Sequence, residues 1–525
     1  MERTMNNVKA FAIVLISVFL LNQPLSPANQ VKSVSPEDSL VFITSSTPMG
    51  KRAGVGFTIG DGSLIVTAHH IVCEESGSGA HEMAGLVTVF SPYLGDATFA
   101  RIIITDKQLD LAVLKTSWTG HPSLELADAD SITSAGEMEI IGIPAIISNI
   151  LTDSGSGIPK EFNVERQILP VDYIAVRQNN LRFISLSGMG KLGQGWSGAP
   201  MLLPASSRAS GCFVRLRGIN EREFLTSEGP AMTYVKYLLD KSEQAKSLKP
   251  PPSSLDKPKD GKEVFMEFIK CYSYRAAGQF ESASKIIEKV ISLRPESFYN
   301  YGFAASIAED MRKYEPAEQY FQKALSLNPN DARLKLFYSQ FLSDREPNKA
   351  FGILKEIWKT NELKPFVALS MFNILVERGE FQKCTDFLQE ALKVEPNNSY
   401  LWLNLGYCFS NSDKINAAIE AFQKAVELLP ERGPFRAQLA QILEKAGKYD
   451  DAETHFRKLL GIEPNNPVVH MWLAEFLAKH RPSSIQEALK EAAIALELPE
   501  KGGLSKQYIQ KFIEKLKSQM KKESD

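Results

Sequence analysis

The chain has 525 residues, 44% hydrophobic and 23% charged, with 60 Lys+Arg against 62 Asp+Glu for a formal net charge of -2. That length is too great for one ordinary core and calls for two to four domains, while the near-balanced charge excludes a partner chosen by bulk electrostatics, such as nucleic acid or an acidic membrane surface. Partners must be argued from particular sites.

The chain opens with "MERTMNNVK", slightly positive, followed by "AFAIVLISVFLL", apolar apart from one serine, and "LSPA" with small residues at Ser26 and Ala28. This order predicts a secretory signal peptide over residues 1–28, cut after Ala28, and hence an exported, periplasmic or secreted protein. The apolar run is well short of the roughly 20 residues a spanning helix needs, so a membrane is reached only if the segment stays uncut. Five cysteines are too few and odd in number for a disulfide scaffold. Cys73 and Cys212 fall in one region and their pairing is open; Cys271, Cys384 and Cys408 fall on helical positions expected to be packed.

Over residues 36–240 short apolar runs are broken by Gly, Ser, Asp and Pro, as in "AGVGFTIGDGSLIVTAHHIV", "DLAVLK", "MEIIGIP" and "RFISLS". Eight or more such strands without long helical periods predict an all-β barrel or sandwich. Residues 241–263 are rich in Pro, Ser and Lys with no apolar period, which reads as a linker.

Beyond Val264 the apolar spacing turns helical. Pro295, Pro329, Pro396, Pro430, Pro464 and Pro499 recur at intervals of 34, 67, 34, 34 and 35 residues, the double gap leaving room for a degenerate unit near 331–364. In "SYLWLNLGYCFSNSDKINAAIEAFQKAVELLP", Gly406 and Ala418 allow two helices to approach while Trp402 and Phe422 fill the space between units. These residues resemble the tetratricopeptide pattern, about seven units over 264–500, with a solvating cap helix over 501–525. The resemblance implies an all-α solenoid whose concave groove binds a protein or an extended peptide. Its groove positions hold Gly302 and Ser306, Leu369 and Asn373, Leu403 and Tyr407, Ala437 and Gln441, with only fragments of a basic carboxylate clamp.

The stretch "GQGWSGAPML" sets Ser197 among glycines, either as a nucleophile or as a turn residue. A nucleophile needs a base, and of seven histidines His455, His470 and His480 lie in the repeats. His69, His70, His81 and His121 remain, all before Ser197, which excludes an order of serine, acid, histidine within this region. Ala199 also breaks the G-x-S-x-G elbow. What survives is the order His, Asp, Ser, with Asp110 or Asp106 as acid. A metal at His70, Cys73 and His81 matches no common zinc spacing, and no cofactor is expected.

Four stretches in this order, "GFTIGDGSLIVTAHHIV", "LDLAVLKT", "GQGWSGAPML" and "LRGINEREFLTSEGPAMTYV", resemble trypsin-like serine peptidases of the bacterial HtrA type. The resemblance implies a double β-barrel, with His70 in a T-A-x-H frame as general base, Asp110 orienting it and Ser197 attacking the scissile carbonyl. The backbone N–H groups of Gly195 and Ser197 would form the oxyanion hole, and Lys191 would stand near the floor of the primary side-chain pocket. Trp196 departs from the Asp or Asn many relatives carry before the serine. PDZ domains usually follow such a protease, whereas here a repeat array does.

The reading is therefore an exported serine endopeptidase, a trypsin-like β-barrel domain followed by an all-α repeat solenoid that binds substrate or partner. The rival is a catalytically silent protease fold serving as an interaction scaffold. On the first reading the barrel alone carries the chemistry, so removing everything after Asp240 is expected to leave hydrolysis of a small ester unchanged.

Overall fold

A computed structural model gives the fold of residues 35–47, 50–75, 81–83, 86–106, 110–118, 120–127, 131, 136–144, 163–176, 182–187, 196–203, 208–212, 215–219, 223–230, 239, 260–360 and 363–524. The predicted signal peptide and most of the predicted linker lie outside the described residues.

The first unit contains β1 (Leu40–Thr47), β2 (Gly50–Ile59), β3 (Leu64–Ala68), the one-turn helix α1 (His69–Val72), β4 (Cys73–Glu75), β5 (His81–Met83), β6 (Leu86–Ser91), β7 (Asp96–Asp106) and β8 (Leu111–Lys115). Six of the strands close into a barrel in the order β1-β2-β3-β8-β7-β6, while β4 and β5 form a separate hairpin. The second unit contains β9 (Glu125–Leu126), β10 (Glu137–Gly142), β11 (Glu165–Val176), β12 (Arg182–Ser187), β13 (Pro200–Leu202), β14 (Arg208–Cys212), β15 (Arg215–Ile219) and β16 (Glu223–Pro230). They form one sheet in the order β15-β16-β12-β11-β10-β13-β14-β9. Its core gathers Met138, Ile140, Ile184, Leu186, Met201 and the fully buried Trp196. Trp196 thus plugs the second unit from the residue next to Ser197, which accounts for an indole where a polar residue was the expected pattern.

Fifteen helices follow among the described residues. They are α2 (Gly261–Ala276), α3 (Phe280–Leu293), α4 (Phe298–Asp310), α5 (Tyr314–Leu327), α6 (Ala332–Leu342), α7 (Pro347–Lys359), α8 (Lys364–Glu377), α9 (Phe381–Val394), α10 (Ser399–Asn411), α11 (Ile415–Leu428), α12 (Gly433–Lys445), α13 (Tyr449–Ile462), α14 (Pro467–His480), α15 (Ile485–Glu497) and α16 (Lys506–Ser524). They stack as seven antiparallel pairs and a final helix. At four of the six recurring prolines the residue two places later, Ser297, Asp331, Asn398 or Asn466, accepts a backbone N–H of the next helix's first turn. Two residues beyond a proline that cannot continue a helix, a short polar side chain satisfies an otherwise orphaned donor. Within the fifth pair Phe422 lies over Gly406, so Gly406 lets the two helices approach as expected, while the Phe422 ring meets its own partner helix as well as any space between units.

The array does not hang free of the barrel. Along β1 the side chains alternate, and both faces are buried. Ile43 points into the barrel, while Phe42 points outward to meet Phe90 of β6 at 5.5 Å and Phe265 of α2 at 6.5 Å. Phe90 in turn packs on Phe268 (4.9 Å) and Tyr299 (5.8 Å), and Phe99 of β7 on Tyr299 (5.1 Å) and Phe337 of α6 (5.6 Å). One apolar core therefore runs from the barrel interior through its wall into α2, α3 and α4. Polar contacts frame it: Ser297 Oγ donates to the Asp96 carboxylate, and Arg294 donates to Leu94 O at 3.2 Å while pairing with Asp260 at 2.7 Å.

This packing overturns the expectation of a self-sufficient barrel. Removing the array after Asp240 would expose Phe42, Phe90 and Phe99, at about 1.5–3 kcal/mol each, against a total stability of about 5–15 kcal/mol for an ordinary domain. The chain cut after Asp240 is expected to lose its near-ultraviolet circular dichroism and its cooperative melt. A chain cut after Thr360, which keeps α2 to α7, should retain both. A native-like melt from the shorter fragment would show that the barrel wall tolerates exposure.

Candidate active site

The turn that carries Ser197 is clamped onto the first barrel. Ala199 N–H donates to Trp196 O at 3.0 Å, closing a turn with Ser197 and Gly198 at its centre, and Val55 N–H of β2 donates to Ser197 O at 3.0 Å. Gly198 has φ of +88°, and a Cβ there would stand 1.8 Å from Val55 O and 2.6 Å from Thr67 Oγ1. Only glycine fits so close to β2 and β3 in that conformation. Gly54 is the second close approach. A Cβ on it would fall 2.1 Å from Ile71 Cδ1 and 3.1 Å from Ser197 O, so the serine turn and the helix bearing His70 meet over the same bare stretch of β2.

His70 leaves β3 on α1, and Asp110 is the turn residue immediately before β8. Because β3 and β8 pair antiparallel with Ala68 opposite Leu111, the two residues are brought side by side from 40 positions apart. Asp110 takes the left-handed φ of +51°, which a short polar side chain tolerates. It then holds the histidine pair three ways. Its carbonyl accepts His69 N–H at 3.0 Å, its Oδ1 accepts His70 N–H at 2.9 Å, and its Oδ2 accepts from His70 Nδ1 at 2.8 Å. A carboxylate facing Nδ1 selects the tautomer protonated there and leaves a lone pair on Nε2. The imidazole is 41% exposed against 18% for the carboxylate, so the ring faces solvent while the carboxylate is shielded.

Of the other candidates, His69 is buried beneath the turn. Asp106 closes β7 opposite Leu111, and it is Asp110 that meets the imidazole. His121 is a core residue: stacked on Trp118 with centroids 5.2 Å apart, it donates from Nδ1 to Pro122 O at 2.9 Å and accepts from Ser91 Oγ on Nε2 at 2.7 Å. Gly195 and Lys191 lie outside the described residues. Cys73 and Cys212 are separate buried thiols, burial pushing Cys73 up to about 12 and Cys212 well above the usual thiol range. Two residues escaped the sequence reading: Ser45, whose Oγ donates to Ile71 O, and Arg52, whose Nη1 donates to His70 O at 3.3 Å. Nothing in their local pattern marks them.

The trypsin-like peptidase domain family matches residues 54–209, and tetratricopeptide repeat families match residues 299–331, 387–420 and 412–475. The chain is thus a trypsin-like peptidase domain followed by a tetratricopeptide array. Among curated proteins it is similar to a peroxisomal targeting signal receptor of Candida glabrata, 31% identical over 104 residues, covering 20% of this chain and 18% of that one. It is also similar to anaphase-promoting complex subunit 3 of Schizosaccharomyces pombe, 24% identical and covering 37% and 29%. The chain spans well under half the length of either. Solved structures similar to parts of it include the HtrA-type protease AlgW with a tripeptide (17% identity, TM-score 0.28, covering 39% of this chain and 58% of that one). The type IV pilus biogenesis factor PilW is another (17%, 0.35, 38% and 93%).

His121 generates a pH dependence. Burial lowers its pKa from the usual 6.5 to about 4, so the folded chain resists a proton that the unfolded chain accepts. Its contribution is complete above pH 6.5, falls as the pH drops below that, and is gone below about 4, a loss of about 3 kcal/mol. Urea midpoints at pH 7 and pH 4.5 should therefore lie further apart in the parent than in His121→Asn. Equal spacing would remove His121 as the cause.

Proposed function

We propose that the chain is an exported serine endopeptidase that cleaves a protein or peptide substrate through an acyl-enzyme, with the repeat array binding the substrate or a partner. The observation that carries this reading is the Asp110–His70 hydrogen bond beside the clamped Ser197 turn. In the proposed mechanism Ser197 Oγ attacks the scissile carbonyl as His70 Nε2 takes its proton. Asp110 keeps the imidazole in the working tautomer and stabilises the imidazolium. The backbone N–H groups of Gly195 and Ser197 receive the developing oxyanion; His70 then returns the proton to the leaving amine, and water repeats the sequence to free the acid. Lys191 in the primary pocket would favour an acidic side chain before the scissile bond. A groove cavity of about 380 Å³ between α6 and α8, lined by Leu336, Gln340, Leu369 and Asn373, supports an extended, partly apolar peptide as the array's ligand.

A fluorophosphonate should label the parent at Ser197 and leave Ser197→Ala unlabelled. Peptide cleavage should fall at least about 10⁴-fold in Ser197→Ala and in His70→Ala while both keep the parent's melt. Labelling of the alanine variant to the same extent, or a parent inert to the probe, would favour the silent scaffold.

A further inference from the structure

The helix that carries His70 has four residues and makes no side-chain N-cap. One turn fixes several dihedrals for one internal hydrogen bond and is not stable by itself, so its geometry is set by what holds its ends. Asp110 takes the N–H groups at the front. At the back the carbonyls of His70 and Ile71 have no helical partner, and two side chains from the barrel donate to them: Arg52 Nη1 to His70 O and Ser45 Oγ to Ile71 O. The bond from Ser45 is buried.

Ser45 lies on the strand that also meets the array. On β1 neighbouring side chains point to opposite faces. Phe42 and Thr44 stand opposite Phe90 and Thr88 of β6 on the outer face, and Ser45 follows the inward sense of Ile43. Thr44, Ser45, Thr88 and Phe99 form the barrel wall of a cavity of about 310 Å³, whose other walls are array residues, among them Tyr272, Arg275, Tyr299 and Ser306. Tyr299 Oη is 3.4 Å from Thr88 Oγ1. Ser306 is one of the groove positions identified from the repeat spacing, so the concave groove ends against β1. Ser45, which holds Ile71, thus lines the cavity at the end of the groove beside Thr44.

We propose that Ser45 is a positioning residue for His70, and that β1 transmits to it whatever presses on Thr44 and Thr88 from the end of the array's groove. The proposal rests on the protease reading for its kinetic consequence, but not for its structural one. Packed elements shift as bodies, so an object filling the cavity moves β1 and, with it, the hydroxyl that fixes the back of α1.

The test uses the full chain with a small peptide ester that does not need the groove. Ser45→Ala should lower kcat about three- to tenfold, the worth of one buried hydrogen bond, with KM within about twofold, and Ser45→Thr should recover most of the loss. Ser306→Trp, which places an indole in the cavity as a built-in occupant, should also lower kcat. Combined with Ser45→Ala it should add little, because both act through one contact. Additive losses, an inert Ser306→Trp, or threonine no better than alanine would overturn the coupling. Nitrogen-15 NMR of His70 gives a readout independent of turnover: solvent exchange of its Nδ1 proton should quicken in Ser45→Ala and Ser306→Trp. If the parent fails to take the fluorophosphonate, the protease reading falls while the exchange rates still decide this one, and unchanged rates would overturn it.

Discussion

The structure depends on the burial of the barrel's outer wall. Phe42, Phe90 and Phe99 face away from the barrel interior, and an antiparallel sheet with that much aromatic surface outside cannot stand in water. Helices α2 and α4 supply the cover through Phe265, Phe268 and Tyr299, and Phe337 extends it to α6. From this follow the fixed placement of the array's first units, the direction in which its groove meets the barrel, and the burial of β1 on both faces. The polar contacts at Asp96, Arg294 and Ser297 frame this junction around the aromatic stack.

The Ser197 turn is held by the same economy of space. Its carbonyl binds β2, Trp196 anchors it in the second unit, and Gly198 and Gly54 remove the side chains that would stand between the two units. His70 is oriented from a different strand pair. Asp110 reaches His70 only because β3 and β8 are neighbours in register, so Asp110 and His70 belong to the first unit while the Ser197 turn comes from the second. The seam itself is held by backbone contacts, Val55 N–H to Ser197 O and the close approach of Gly54 and Gly198.

Much of this was legible in the sequence. The proline interval predicts about seven helical units, and seven helix pairs are found. The pairing of His70 with Asp110 was foreshadowed by an apolar strand ending in T-A-H-H and another beginning at L-D-L. The junction was not legible as such, although its signal was present: "SLVFIT" is apolar without alternation, the mark of a strand covered on both faces, and a reader attending to periodicity takes it for a strand and looks no further. Ser45 and Arg52 were invisible for a plainer reason. Their roles are contacts with carbonyls 26 and 18 residues away, and no local pattern encodes a contact of that kind.

Asp110 is constrained twice, once by its carboxylate and once by its left-handed backbone, which Gly, Asn and Asp occupy at little cost and other residues do not. The two constraints have different tolerances. Asparagine keeps the conformation, the carbonyl bond to His69 and an oxygen for His70 N–H, but turns an amide toward the imidazole and reverses its tautomer. If the chain works as proposed, the shortest path from enzyme to scaffold among its descendants is therefore a single-nucleotide change at this codon, one that leaves every strand, turn and repeat in place and would pass unnoticed in any comparison of folds.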